Sequence, residues 1–174
     1  MLHMPSLLPE LAMTRYELLI IAALPFALLA APLANALCAQ RAASRDSTIK
    51  RADRTIYHED VAGEREWAYA QATIVGNTIY MSGVVAGGAT MEQQITQVYA
   101  RIARTLAKHG ATLRDVVKET VFTKDMAALS AANDVRKRAY GDHTPAATWV
   151  QITGLLLPQA MLEIEVTAVV PAAK

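Results

Sequence analysis

The clearest alternation along the chain lies near its end, where Leu162, Ile164, Val166, Ala168 and Val170 fall on one side and Glu163, Glu165 and Thr167 on the other. That is the period-two pattern of a strand covered on one face. The stretch Thr144-Pro-Ala-Ala-Thr-Trp-Val-Gln reads as a strand before it, joined to it by a Gly/Pro loop. Earlier, two apolar runs flank Gly76-Asn77, a dipeptide suited to the positive φ of a tight hairpin turn, and Ser82-Gly83 breaks the second run. Ile95, Val98, Tyr99, Ile102 and Leu106 then recur at three- and four-residue steps. This is a helix with one apolar stripe, opened by a capping box of Thr90 and Gln93 and stopped by Gly110. Residues 116–122 are rich in β-branched and aromatic side chains and predict a third main strand. A second, shorter helix spans 126–140 with Leu129, Ala132 and Val135 inward, and Thr55-Ile-Tyr-His58 forms a short edge strand. The order defines an α+β fold, a mixed sheet with two helices on one face. The other face stays bare and moderately apolar, which predicts a homo-oligomer.

The front of the chain has a different character. Residues 18–34 carry no charge, follow Arg15, and end at Ala34-Asn35-Ala36, the small-x-small pattern of a signal-peptidase site. Residues 1–36 therefore read as a signal peptide cleaved after Ala36, with Met13 as the alternative start, and the protein as periplasmic or secreted. A retained membrane anchor is the alternative, against which Pro25 and Pro32 would interrupt a spanning helix. Membrane contact is confined to that segment. Residues 37–54 are polar and aperiodic, a flexible leader without a fold of its own, and 55–174 form the domain, its main body beginning near Trp67.

Charge and composition narrow the function. A net charge of +1 and 6% aromatic residues give neither a basic surface nor stacking platforms, so no nucleic-acid partner is expected. Cys38 is the only cysteine, which removes disulfide, dithiol and Cys-zinc chemistry. His3, His58, His109 and His143 lack ligand spacing, so no metal is expected and each reads as a surface or helix-end residue.

Taken together, Tyr69-x-Gln71-Ala72, Val75-Gly-Asn-Thr-Ile-Tyr-Met-Ser82-Gly83, Asp115-Val-Val-Lys-Glu-Thr-Val-Phe122, Asn133 and Leu162-Glu-Ile-Glu-Val-Thr-Ala-Val-Val-Pro171 resemble the RidA/YjgF family from about residue 66 to 171. The resemblance implies a chorismate-mutase-like α+β fold assembled as a homotrimer, with sheets inward and a ligand cleft at each subunit interface. It also implies cofactor-free hydrolysis of small enamines and imines. On the matching positions, Glu163 would position the attacking water, Tyr69 would wall the cleft, Ser82 would offer a hydroxyl or backbone group, and Asn133 would reach in from the second helix.

Three positions depart from the family pattern. Ala147 stands where members acting on imino acids carry an Arg for the substrate carboxylate, Val84 where a Gln commonly follows Ser-Gly, and Trp149 where a small residue is frequent. The run Arg136-Lys137-Arg138 could supply another cation, but such a run ordinarily lines a solvated helix face. Two functions stay open. One is an exported protein that binds, and where active hydrolyses, a small reactive nitrogen metabolite, with 2-imino acid deaminase activity weak or absent. The other is a non-catalytic ligand-binding or holdase-like envelope protein.

Overall fold

The structure, a computed structural model, describes residues 47–171. The segment expected to be a signal peptide, with its expected cleavage site, and most of the expected leader lie outside the described residues. Among those described, no helix is long and apolar enough to cross a membrane.

Seven strands form one sheet: β1 (Ser47–Lys50), β2 (Thr55–His58), β3 (Ala72–Val75), β4 (Thr78–Met81), β5 (Val116–Thr123), β6 (Ala146–Gln151) and β7 (Leu162–Val169). Their order is β1-β2-β3-β4-β7-β5-β6. Only the β5–β6 pair is parallel, so the sheet is mixed, as expected. Among the described residues four α-helices accompany it: α1 (Val61–Glu66), α2 (Met91–Lys108), α3 (Met126–Ala131) and α4 (Asn133–Tyr140).

The α2 stripe behaves as its spacing demands, with Ile95, Val98, Tyr99, Ile102 and Leu106 all buried. Against them lie Leu162, Ile164, Val166 and Ala168 of β7, Val121 of β5 and Ile79 of β4. At the start of α2, Thr90 Oγ1 accepts from Gln93 N, while Gln93 Oε1 reaches back one residue further, to Ala89 N at 2.8 Å. Gly110 leaves the helix with φ +75°, a left-handed turn that glycine adopts without strain. The opposite sheet face carries Tyr80, Glu165, Thr148 and Val150 into solvent, and no described element covers it.

Three expectations are corrected. Ser47–Lys50 belongs to the sheet rather than to a foldless leader: it pairs antiparallel with β2, and Arg51 N donates to Arg54 O across the turn at 2.8 Å. Four residues are too few to show an alternation, and β2 is consequently an inner strand. β6 and β7, joined by the Gly/Pro loop, flank β5, which bonds to both. The second helix is broken at Ala132, where Asn133 and Asp134 begin a new turn, as their preference for helix starts favours. The fold also starts before Trp67, with α1 capped by Asp60.

Candidate ligand site

After β4 the chain turns at Ser82 and rejoins the sheet beside β7, where Val84 N donates to Ile164 O at 2.8 Å and Ile164 N to Val84 O at 3.1 Å. Gly83 thereby crosses directly over Glu163. A Cβ at Gly83 would stand 2.6 Å from Glu163 Cδ and 2.8 Å from Cγ, so only glycine permits this approach. The Glu163 carboxyl is half-buried, and burial, followed by the charge of Glu165, holds its pKa above the ordinary carboxylate range. No hydrogen bond or ion pair ties it to another described residue, so its oxygens are free to accept. Glu165 is exposed on the same face, in register with Thr120.

Ser82 is less free than its sequence suggests. Its hydroxyl donates to Ala70 O at 2.7 Å and its N–H to Gln71 O at 3.0 Å, leaving the hydroxyl lone pairs for a ligand. These bonds tie Ser82 to the segment bearing Tyr69. Tyr69 follows Ala68, which holds φ +55°, a left-handed conformation unusual for a residue with a Cβ. The segment is anchored by Glu64, 1% exposed, which accepts from Glu59 N, Asp60 N, Gln71 N and His58 Nδ1 between 2.8 and 2.9 Å. His58 is therefore a buried partner of a carboxylate, not a surface residue. Tyr69 is 44% exposed, and burial of the rest, then the Glu64 charge, raises its pKa.

Asn133 lies elsewhere. It lines a narrow pocket under the helix-covered face with Tyr99, Leu129, Arg136, Trp149 and Ile164, so it and Glu163 are on opposite faces of one sheet. Its Oδ1 is buried without a hydrogen-bond partner. Beside the pocket, the fully buried Glu119 of β5 accepts from Tyr99 OH, Tyr140 OH and Arg136 Nε, each at 2.7 Å. Both tyrosine pKa values are pushed far up by burial and then by the Glu119 charge. Burial pulls the Arg136 pKa down, but the hydrogen bond and charge of Glu119 outweigh it and the net shift is upward.

Arg136 overturns the expectation of a solvated basic run, since its side chain is 18% exposed. It lies over the rings of Tyr140 and Trp149 at 5.1 and 5.8 Å. Its signal in the sequence was spacing, because 129, 132, 136 and 140 share one helical face. Ala147 is in register with Glu119, exposed, and supplies no cation. Among the described residues no three His, Cys, Asp or Glu side chains converge as metal ligands.

One chain thus brings Tyr69, Ser82 and Glu163 into one connected region and places Asn133, with Arg136 and Trp149, in another. A mixed seven-stranded sheet with helices on one face and a carboxylate kept on the bare face defines a RidA-type α+β subunit. The chain belongs to the RidA/YjgF family: residues 61–170 match the family model described as Endoribonuclease L-PSP. Curated relatives include a RutC family protein of Pyrococcus abyssi, 33% identical over 110 residues (58% of this chain, 84% of the relative). A 2-iminobutanoate/2-iminopropanoate deaminase of Capra hircus is 35% identical over 112 residues (58% and 79%). Among solved structures, a YjgF/YER057c/UK114 family member from Mycobacterium tuberculosis superposes with TM-score 0.64 at 28% identity, over 67% of this chain and 99% of that one. RidA from the bacterium Psychrobacter gives 0.56 at 29%, over 59% and 88%.

Proposed function

We propose that the protein is an exported homotrimer that hydrolyses a small C=N compound, an imine or enamine, in clefts between its subunits. The bare faces of three sheets turn inward, and each cleft joins the Ser82–Gly83–Glu163 region of one copy to the Asn133–Arg136–Trp149 region of another. That pairing accounts for family site positions lying on opposite faces of a single chain. The observation that carries the chemistry is Glu163, a half-buried carboxyl of raised pKa that no hydrogen bond or ion pair ties to another described residue. Such a group is suited to general-base work near neutral pH. Glu163 takes a proton from water as the oxygen attacks the C=N carbon, and the resulting carbinolamine collapses, releasing ammonia and leaving a carbonyl. Water supplies the oxygen and the protons, so no cofactor is required. The deaminase activity named for several relatives is weak here for 2-imino acids, because Ala147 offers nothing to their carboxylate.

Ammonia release from a panel of imines by the purified trimer tests this, with Glu163→Gln as the partner variant. Turnover that the substitution removes supports hydrolysis. No turnover in either form, with ligand binding intact, would establish the non-catalytic binding protein instead. For export, N-terminal sequencing of protein recovered from the envelope is expected to begin at Leu37.

A further inference from the structure

Glu64 and His58 are buried ionisable side chains that take no part in the chemistry outlined above, at 1% and 7% exposure. Removing a carboxylate from water is costly, and stability alone would be served as well by an apolar side chain of similar size. The placing of its partners gives Glu64 another use. Oε1 accepts from Glu59 N at 2.8 Å and Asp60 N at 2.9 Å, in the turn between β2 and α1. Oε2 accepts from Gln71 N at 2.9 Å, where the chain enters β3, and lies 2.8 Å from His58 Nδ1 at the end of β2. An ionised carboxylate only accepts, so Nδ1 carries the histidine proton, and the donors fill both oxygens.

Gln71 carries that anchorage to the site. It is 2% exposed, its carbonyl accepts from Ser82 N at 3.0 Å, and its Nε2 donates to Ser82 O at 3.4 Å. Ser82 Oγ closes the same link by donating to Ala70 O at 2.7 Å. The next residue is Gly83, whose backbone is packed against the Glu163 side chain. A continuous run of hydrogen bonds therefore leads from the Glu64 carboxylate through Gln71 to the turn that walls Glu163. Tyr69 is held differently: its N–H donates to the Glu64 backbone carbonyl at 3.0 Å, a bond independent of the Glu64 side chain.

We infer that Glu64 is a positioning residue for the ligand site: its carboxylate, oriented by His58, fixes Gln71 and through it the Ser82–Gly83 turn that holds the Glu163 carboxyl in place. Its bearing on catalysis rests on Glu163 being the general base, as proposed above. An amide at position 64 cannot replace the carboxylate. With a glutamine oxygen kept on Glu59 N and Asp60 N, the NH2 end faces the Gln71 N–H, which can only donate. The opposite orientation is worse, because it leaves two backbone N–H groups unpaired instead of one.

Glu64→Gln in the assembled protein tests the inference by three readings. Amide hydrogen exchange at Gln71 and Ser82 should quicken at least ~10-fold relative to the amides of α2. Carboxyl NMR titration should find the Glu163 pKa moved down towards the ordinary carboxylate range. For ammonia release, kcat should fall at least ~10-fold while KM changes less than about three-fold, since Tyr69 keeps its backbone tether. His58→Leu, which removes one donor, should move all three readings the same way by less, and His58→Asn, whose amide N–H can stand where Nδ1–H stood, should restore them. If Glu64→Gln does not fold, the two His58 variants carry the same test. A merely structural Glu64 would quicken exchange throughout the domain and leave the Glu163 titration of the folded protein unmoved, and that outcome overturns the inference. So does a change in KM alone. Absence of turnover from the unsubstituted protein refutes the general-base reading by itself, and the exchange and titration then decide whether Glu64 holds Glu163 in place: moved in the variants they uphold it, unmoved they overturn it.

Discussion

Gly83 and Glu163 are packed so closely that the backbone of one forms a wall for the carboxyl of the other, and a methyl group at position 83 would overlap the Glu163 side chain. Gly83→Ala therefore acts on Glu163 without altering it. Because the obstacle is the end of a flexible side chain, the fold should survive at a cost of about 1 kcal/mol, within the range for overpacking. The displaced carboxyl should lose its raised pKa and any turnover that depends on it. Carboxyl NMR titration and ammonia release check both, and an unmoved Glu163 pKa would mean the contact does not hold that side chain.

The raised pKa of Glu163 also sets a pH dependence. Below the ordinary carboxylate value of about 4.3 the group is protonated in folded and unfolded chains alike. As pH rises, the unfolded chain releases its proton first, so stability falls until the folded value is passed and then levels. Glu163→Gln removes this loss. The variant should match the unsubstituted protein near pH 4 and exceed it at neutral pH, by no more than about 1 kcal/mol because the side chain is partly solvated. Thermal melts across that range give the comparison. A gain at pH 4 as large as that at pH 7 would contradict the sign.

What the sequence revealed depended on how much regular pattern each element carries. β7, α2 and the Gly76-Asn77 hairpin were legible because each has a sustained period or a turn residue with a defined backbone need. β1 was not, being four residues long, and α1 has no apolar period, since its anchor is the buried Glu64 rather than a stripe. At the site, the face of Glu163 followed from alternation alone. The role of Glu119 did not, because its partners come from α2 and α4 and a buried charge is intelligible only with all of them present. Arg136 was hidden by Lys137 and Arg138, which are exposed as a basic run should be.

Ala68 tests whether the Tyr69 segment is strained. At φ +55° a Cβ costs roughly 1 kcal/mol, which glycine would relieve while losing a similar amount to its freer unfolded chain. Ala68→Gly should therefore be close to neutral in urea unfolding. Ala68→Val should destabilise by about 2 kcal/mol, since a branched side chain tolerates that region less well. Equal effects would show that the backbone relaxes on substitution.

The Glu119 cluster should be costly to break and tolerant of conservative change. Glu119→Ala leaves Arg136 without its counter-ion and two tyrosine hydroxyls without an acceptor, which should cost about 3–5 kcal/mol. Glu119→Gln keeps the shape and one acceptor and should cost about 1–3 kcal/mol. Chemical denaturation orders the two. A Glu119→Ala protein as stable as the Gln variant would show that water replaces the lost acceptor.

Restoring the arginine of imino-acid-acting family members, Ala147→Arg, tests why the reaction is expected to be weak. The new side chain would leave β6 on the face that bears Glu119, its register partner. A bidentate guanidinium–carboxylate contact in a desolvated cleft is worth roughly 2–5 kcal/mol when one partner is removed, or about thirty-fold to a few thousand-fold in affinity. Glu119 will compete for the added cation, which argues for the lower end, and Glu119→Gln in the same chain should move the gain upward. Ala147→Lys should give less, because a point charge cannot fork across both carboxylate oxygens. The measurement is kcat/KM for 2-iminobutanoate with the oligomer verified intact. A correctly assembled Ala147→Arg protein that hydrolyses it no faster than the unsubstituted chain would show that something other than the missing cation limits the reaction, with Trp149, whose ring already lies against Arg136, the next residue to reduce in size.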